Sequence, residues 1–128
     1  MSKDQYSITL DDEKRLVRVV ASGDIVREVG NEIITKALAT AAEHHYHIFC
    51  DVRQATVKVT LADWFFLPRT LAIFKNKEVR SISTAIVIAP GKQEDDYRFY
   101  ETVVYNLGME VKVFKNEKDA LDWLATLK

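Results

Sequence analysis

Residues 83–89 have the sequence Ser-Thr-Ala-Ile-Val-Ile-Ala and are followed directly by Pro90 and Gly91. β-Branched side chains such as these favour a strand, because they pack well on a pleated surface. The Pro-Gly pair marks a turn that stops the strand. This is the strongest strand signal in the chain, and the segments on either side of it decide which kind of sheet it joins.

The segments after this strand alternate between helix and strand. Residues 93–107 place apolar side chains at helical spacing, with acidic residues in the first turn that complement the helix dipole. Gly108 suits the position just past a helix end, where a positive φ is needed. Residues 110–114 alternate as a strand, and Asn116, followed three residues on by Asp119, makes a cap for a last helix. That helix is predicted to bury Ala120, Leu121, Trp123, Leu124 and Leu127.

The segments before the central strand follow the same alternation. Residues 6–10 and 16–20 alternate apolar with polar side chains around a polar turn, which predicts a β-hairpin. Residues 29–44 have the apolar spacing of an amphipathic helix. Residues 47–52 are a short apolar run without alternation, typical of a strand buried on both faces. Residues 60–74 have helical spacing that is interrupted by a proline.

The order of predicted elements is β-β-α-β-α-β-α-β-α. Strands that alternate with helices are joined by right-handed crossovers and form a largely parallel sheet, to which the opening hairpin adds one antiparallel strand. We therefore predict an α/β fold, a mixed and mostly parallel sheet of about five strands with helices packed on it. Residues 1–128 contain no internal repeat and no linker, so we expect a single domain over that range.

The composition limits the classes of protein that fit. The chain has 128 residues, 48% of them apolar, which suffices for a core without metal or disulfide. Lys and Arg number 18 against 19 Asp and Glu, with no block of one sign, so we expect no nucleic-acid partner. No apolar run approaches the roughly 18 residues of a transmembrane segment. The first 15 residues lack a leader pattern and Cys50 is the only cysteine, so we expect a cytoplasmic location.

No residue pattern favours a particular reaction. The sequence has no Gly-rich phosphate loop, no Ser-His-Asp set and no paired catalytic carboxylates. His44, His45 and His47, with Cys50 and Asp51 nearby, form the one group that resembles metal ligands. The first two histidines point about 100° apart at a helix end and the third begins a strand, so the three do not converge. We therefore predict no metal, no cofactor and no catalytic residue.

Asp51 and Arg53 are candidates for ligand or partner binding. They follow a predicted buried strand, and ligands of open α/β sheets gather outside the carboxyl ends of the strands. The alternative is that Asp51 forms an ion pair or a cap beside a solvated Arg53. For Cys50, between Phe49 and Asp51, an inert buried thiol is favoured over a nucleophile.

Residues 61–74 form the most unusual stretch, because ten of the fourteen are apolar besides the proline. In a continuous helix, Trp64 lies on the same face as most of the other large apolar residues, whereas Phe66 and Ile73 lie on the opposite side. We expect those two to meet another chain or an apolar ligand, and Trp64 is a further candidate for ligand or partner binding. Two alternatives are that Pro68 begins a shorter helix, and that tertiary packing covers both faces.

The residues resemble the SpoIIAA-like group of the STAS superfamily. The resemblance rests on the β-β opening, the Gly23-Asp24-Ile25 step into the first helix, a strand ending in Asp51, and the tail formed by residues 111–114 and 120–124. It covers essentially the whole chain in element order. It implies a small mixed sheet with helices packed on it, and a role in binding partners or small ligands without catalysis.

In the anti-sigma antagonist branch of these proteins, a serine in an Asp-Ser-Ser-Gly stretch is phosphorylated to switch partner binding. The Ser-Ser-Gly is absent from residues 51–63 here, and Thr60 falls within about one residue of the expected place. Thr60 and Asp63 form a capping-box-like start of a helix, where free N–H groups favour an anion. The alternative is that Thr60 only caps its helix.

Three hypotheses about function follow. The first is a non-enzymatic regulatory or protein-interaction module, expected to be a homodimer that uses residues 61–74 as an apolar contact surface or to bind another protein through them. The second is a carrier or sensor of a small apolar or lipid-like ligand, enclosed between the aromatic segment of residues 61–74 and the edge of the sheet. The third is an enzyme or metal protein that uses His44, His47 or Asp51.

Overall fold

The computed structural model describes residues 5–127, which form one five-stranded sheet and four α-helices. The strands are Tyr6–Asp11 (β1), Leu16–Val26 (β2), His47–Lys58 (β3), Ser83–Val87 (β4) and Glu110–Phe114 (β5). The helices are Arg27–His44 (α1), Leu61–Thr70 (α2), Glu94–Tyr105 (α3) and Glu117–Ala125 (α4), with two 3-10 turns at Ala72–Lys75 and Lys77–Ser81. The predicted element order and the mixed α/β class are confirmed.

The strands lie in the order β1-β2-β3-β4-β5. β1 pairs antiparallel with β2, and every later pair is parallel. Because each parallel strand lies beside the previous one, each right-handed crossover advances in the same direction and leaves its helix on the same face of the sheet. α1, α2 and α3 therefore share one face. α4 follows the last strand and packs on the opposite face, against β3, β4 and β5.

Two hydrophobic cores result from this arrangement. The larger core lies beneath α1, α2 and α3 and includes Val19, Ile48 and Ile86 of the sheet. The smaller core joins Ala120 and Leu124 of α4 to the opposite face of the sheet. The strand side of that smaller core consists of Leu16, Phe49, Ala85 and Val87. The first half of β3 contributes to both cores, as expected for a strand buried on both faces.

Both central strands are longer than predicted. β2 continues through Gly23, whose φ is +76°, and β3 continues to Lys58. The two strands pair with each other beyond the end of β4, after a bulge that adds one residue to β3. The prediction that a strand ends near Asp51 is therefore wrong. Pairing with a long partner supplies the hydrogen bonds that this extension needs, and local alternation in sequence does not encode it.

The helix predicted over residues 60–74 is shorter in the structure. α2 ends at Thr70, Leu71 is extended, and Ile73 lies in a 3-10 turn. Pro68 lies inside α2 and is buried, so the alternative in which it begins a separate helix is also wrong. A proline removes one helical hydrogen bond and crowds the turn that precedes it.

Several predicted helix ends are confirmed. Gly108 has a φ of +86° after α3. The Asn116 side chain accepts a hydrogen bond from the Asp119 backbone N–H at the start of α4. Of the residues expected to be buried by that helix, Ala120 and Leu124 are fully buried, while Leu121, Trp123 and Leu127 are partly buried. No helix within residues 5–127 is both long and apolar enough to cross a membrane.

Candidate functional site

An apolar cavity of about 150 Å³ lies between the three helices and their face of the sheet. Ile33, Ala37 and Leu38 of α1 form one wall, and Trp64 and Leu67 of α2 belong to the lining on the other side. The remaining lining comes chiefly from Cys50, Val57, Ile86, Tyr97, Tyr100 and Met109. An apolar space of this size can admit a molecule as large as benzene.

The cavity exists because α1 and α2 pack on different parts of the molecule. α1 packs over β2 and β3, whereas α2 packs on α3, which in turn lies over β5. Trp64 fixes α2 in this position, because its ring meets the rings of Tyr97 and Tyr100 edge-to-face with centroids 5.1 and 5.8 Å apart. The space left between α1 and α2 is not filled by either helix.

Two charged residues, Arg27 of α1 and Asp63 of α2, line the cavity. Arg27 Nη1 lies 3.7 Å from Asp63 Oδ1, so the ion pair links the starts of the two helices. Both side chains are partly exposed, which places this pair at the solvent end of the cavity. A pair this open to water contributes little stability, so the link between the helices is weak.

Thr60 acts on the cavity through Asp63. Thr60 Oγ1 accepts a hydrogen bond from the Asp63 N–H, and Asp63 Oδ2 accepts one from the Thr60 N–H. The capping role of Thr60 is therefore confirmed, and the same box orients the carboxylate that pairs with Arg27. A phosphate on Thr60 would break this box and lie beside the carboxylate of Asp63, which is an unfavourable place for added negative charge.

Apart from the Arg27–Asp63 pair, the polar side chains of the cavity wall are uncharged at neutral pH. Burial raises the pKa of the Cys50 thiol to about 12, and the negative charge of Asp51 adds to the shift. Cys50 is only partly covered, because its side chain is in the cavity lining. Burial also raises the pKa values of Tyr97 and Tyr100 well above the usual value for a phenol. The thiol and both hydroxyls therefore keep their protons at neutral pH.

Asp51 and Arg53 lie on the opposite face of the sheet from the cavity. Arg53 donates to both carboxylate oxygens of Asp51, at 2.9 and 2.7 Å, and reaches Glu117 of α4 at 3.5 Å. The Arg53 guanidinium holds the pKa of Asp51 below its usual value. The pair lies within β3 and not at its end, although Asp51 is level with Val87, the last residue of β4. Asp51 and Arg53 therefore form an ion pair with each other, as in the alternative to a binding site.

Phe66 and Ile73 differ in their surroundings. Phe66 is 53% exposed on α2, whereas Ile73 is partly buried and packs on the larger core. Phe66 belongs to an aromatic cluster that sequence periodicity did not reveal. Its ring meets Phe65 edge-to-face, Phe65 stacks on Phe99 of α3, and the guanidinium carbon of Arg69 lies 4.4 Å from the centre of the Phe65 ring.

The histidines after α1 are separated by the backbone. His44 Nδ1 bonds the Thr40 carbonyl oxygen, His45 has the left-handed conformation that ends α1, and His47 Nδ1 accepts from the Ser83 N–H at 2.9 Å. Across residues 5–127, no three His, Cys, Asp or Glu side chains come close enough to hold a metal ion.

Sequence analysis singled out Trp64 in the cavity lining, but it missed Tyr97, Tyr100 and Met109 as residues of a site. The two tyrosines were assigned only to a buried helical stripe. A residue that lines a cavity has the same apolar spacing as one that fills a core, so the sequence carries no separate signal for it.

No protein-family model and no curated protein matches the sequence. Among solved structures, the chain is similar to an uncharacterised protein of the DUF3478 family with a SpoIIAA-like fold from Shewanella loihica PV-4. The TM-score is 0.60 over 93% of each chain, and the sequences are 22% identical. The expected SpoIIAA-like fold is therefore confirmed. At this identity the similarity concerns the fold alone.

Proposed function

We propose that this protein is a SpoIIAA-like binding module that holds a small, largely apolar ligand in the cavity between α1, α2 and the sheet. One observation carries the proposal, the cavity of about 150 Å³ with apolar walls. Protein interiors seldom leave spaces larger than a water molecule. A space that two helices enclose but do not fill suits a guest molecule.

The energetics favour occupancy. The side chains that face this space of about 150 Å³ lack packing partners on that side. A ligand that fills it recovers part of this packing and also loses its own contact with water. The weak Arg27–Asp63 pair offers little resistance to entry between the helices.

A methionine in the cavity lining provides a probe for ligand binding. The chain contains two methionines, Met1 and Met109, and Met109 is buried in the cavity lining. We would label the methionine methyl groups with ¹³C and titrate the protein with toluene. The proposal expects a saturable shift of the Met109 methyl signal. Native mass spectrometry of freshly purified protein, showing a mass above the 14.7 kDa of the polypeptide, would add support.

Gly30 of α1 supplies a matched pair of variants. It lines the cavity, and an added Cβ would meet only the Ile25 Cγ2 at 3.7 Å, an ordinary contact. We expect Gly30→Ala to bind toluene and Gly30→Leu, which extends a side chain into the space, to lose binding. The proposal fails if toluene leaves Met109 of the wild type unchanged, or if the leucine variant binds as tightly as the alanine variant.

A second candidate function rests on the outer surface of α2. Leu61 is 59% exposed and Phe66 53%, and exposed large apolar side chains often mark a contact surface. We propose that a second copy of this chain covers Phe66 and the neighbouring aromatic rings. Ile73 does not join this surface, because it packs on the larger core.

The dimer is tested by light scattering at high micromolar concentration. We expect a mass near twice 14.7 kDa for the wild type and a lower mass for Phe66→Asp. Tyr105→Asp is the control, because Tyr105 is the most exposed large apolar residue of the described chain and lies on α3. A monomeric wild type, or a dimer that Phe66→Asp leaves intact, would contradict this candidate.

A further inference from the structure

The solvent end of the cavity carries two charged side chains that make no hydrogen bond with each other. Arg27 Nη1 and Asp63 Oδ1 are 3.7 Å apart, which is longer than a hydrogen bond between nitrogen and oxygen. Both residues belong to the cavity lining, and their side chains are 58% and 27% exposed. A guest that extends to this end of the cavity can therefore reach both groups.

Both groups have hydrogen-bonding capacity left. Within residues 5–127, the Arg27 guanidinium donates no hydrogen bond, because its other acidic neighbour, Glu28, is also 3.7 Å away. Asp63 Oδ2 accepts from the Thr60 N–H, whereas Oδ1 accepts from no group of the described chain. The capping box holds Asp63 in place without help from Arg27. The pair thus offers several donors and one acceptor at the same place.

These charges make a wholly apolar guest a poor match for the solvent end. An apolar group placed there would displace water from Arg27 and Asp63 without replacing the hydrogen bonds that the water makes. Removing water from a charged group in this way costs free energy. A guest whose body is apolar therefore fits best when its outer end is polar.

The two opposite charges restrict that polar end. A carboxylate that accepts from Arg27 would lie beside the carboxylate of Asp63, and an ammonium that donates to Asp63 would lie beside the guanidinium of Arg27. Glu28 is 76% exposed and outside the lining, so water screens its charge. A neutral hydroxyl meets no like charge, and it can accept from Arg27 while it donates to Asp63 Oδ1.

We infer that the cavity takes an amphiphilic alcohol, a small apolar body with a hydroxyl group that bridges Arg27 and Asp63 at the solvent end. The inference rests on the proposed function, because the apolar body needs the cavity. It adds the chemical class of the guest, the direction in which the guest lies and the two side chains that recognise it.

The test uses two probes of nearly the same shape. Benzyl alcohol carries a hydroxyl where ethylbenzene carries a methyl group. Dissociation constants come from the ¹³C-methyl signal of Met109 in the wild type and in Arg27→Met, which keeps a long unbranched side chain. We expect Arg27→Met to weaken benzyl alcohol about threefold to tenfold, the usual effect of one hydrogen bond, and to change ethylbenzene by less than about twofold. Arg80→Met, at an exposed arginine outside the lining, should change neither constant.

A measurement on the wild type alone keeps the test independent of the variant's folding. Bound benzyl alcohol, labelled with ¹³C at its methylene carbon, should show nuclear Overhauser contacts with the Arg27 side chain. Absence of these contacts, equal effects of Arg27→Met on both probes, or tighter binding of benzylamine or benzoate than of benzyl alcohol would each overturn the inference. If ethylbenzene still shifts Met109 in that case, the proposed function stands without it. If neither neutral probe shifts Met109, the proposed function itself fails.

Discussion

Cys50 shows how its surroundings set the chemistry of a single residue. The thiol belongs to the lining of an apolar cavity, and burial raises its pKa to about 12. Asp51 is the next residue in β3, but it lies on the opposite face and is ion-paired with Arg53. Two adjacent residues therefore have opposite environments, one without charge partners and one with a guanidinium. The alternation of side chains along a strand produces this difference.

The first prediction concerns the reactivity of Cys50. At pH 8, a thiol with a pKa of about 12 is ionised in roughly one molecule in ten thousand. The higher nucleophilicity of such a thiolate offsets only part of this loss. We expect iodoacetamide to modify Cys50 in the folded protein at least about tenfold more slowly than in the urea-unfolded chain, as measured by intact-mass spectrometry. Equal rates would contradict burial of the thiol in an apolar site.

Helix α2 shows how a short element is held in place at its start and along one side. Its start is fixed by the capping box of Thr60 and Asp63, and its side is fixed by the contact of Trp64 with α3. Only Trp64 and Pro68 are fully buried in it. A helix of 10 residues with so little burial depends strongly on its cap.

The second prediction concerns that cap. Thr60→Ala removes the acceptor for the Asp63 N–H, so we expect a loss of about 1 kcal/mol in the free energy of unfolding. Thr70→Ala is the matched control, since Thr70 lies at the other end of α2 and its hydroxyl only donates to the Phe66 carbonyl. Urea denaturation measures both. Equal losses for the two variants would show that the cap is not what stabilises α2.

His47 joins two strands through its side chain. Its Nδ1 accepts a hydrogen bond from the Ser83 N–H, which links the start of β3 to the start of β4. Only a neutral imidazole can accept this bond. Burial lowers the pKa of His47 below the usual 6.5, with a smaller opposing effect from Glu110. The folded protein therefore binds this proton less readily than the unfolded chain does.

The third prediction follows from the lowered pKa of His47 in the folded protein. The stabilising effect of neutral His47 is fully present above about pH 6.5 and declines as the pH falls from there toward the lower pKa of the folded state. Urea denaturation between pH 7.5 and 5 measures it on a ~0.5-unit grid. We expect His47→Gln to reduce the change of the free energy of unfolding with pH. His45→Asn, at an exposed left-handed position, should retain that change. If the free energy of unfolding of His47→Gln changes with pH as that of the wild type does, this pH dependence does not come from His47.

At the scale of the whole molecule, the sheet separates the cavity from a compact core. The cavity lies on the face covered by α1, α2 and α3, and the compact core with α4 lies on the other. The proposed ligand binding and the packing beneath α4 therefore depend on different side chains. Substitutions beneath α4 act on the cavity only through the stability of the fold.

The fourth prediction tests this separation. Leu124 is 4% exposed in the core beneath α4, so Leu124→Ala should lower the free energy of unfolding by about 2–5 kcal/mol. Under conditions where the variant is still folded, we expect its affinity for toluene, read from Met109, to equal that of the wild type. A parallel loss of affinity would show that α4 shapes the cavity through the sheet.

The features that could be predicted from the sequence are those that depend on residues adjacent in the chain. The strand predicted over residues 83–89 is observed at Ser83–Val87, and the glycine past α3 and the Asn116 cap were placed correctly. These features could be predicted because β-propensity, positive φ and capping are properties of a few adjacent residues. The SpoIIAA-like fold was also predicted, from the order of elements and a resemblance in their ends.

Only the tertiary structure decided where the helices lie and what they leave open. The consecutive strand order put three helices on one face, the long pairing of β2 with β3 extended both strands past Asp51, and the contact of Trp64 with α3 drew α2 away from α1. Each of these depends on residues far apart in sequence. The cavity is the space left between α1 and α2, because each helix packs on a different part of the molecule. No local pattern in the sequence therefore encodes it.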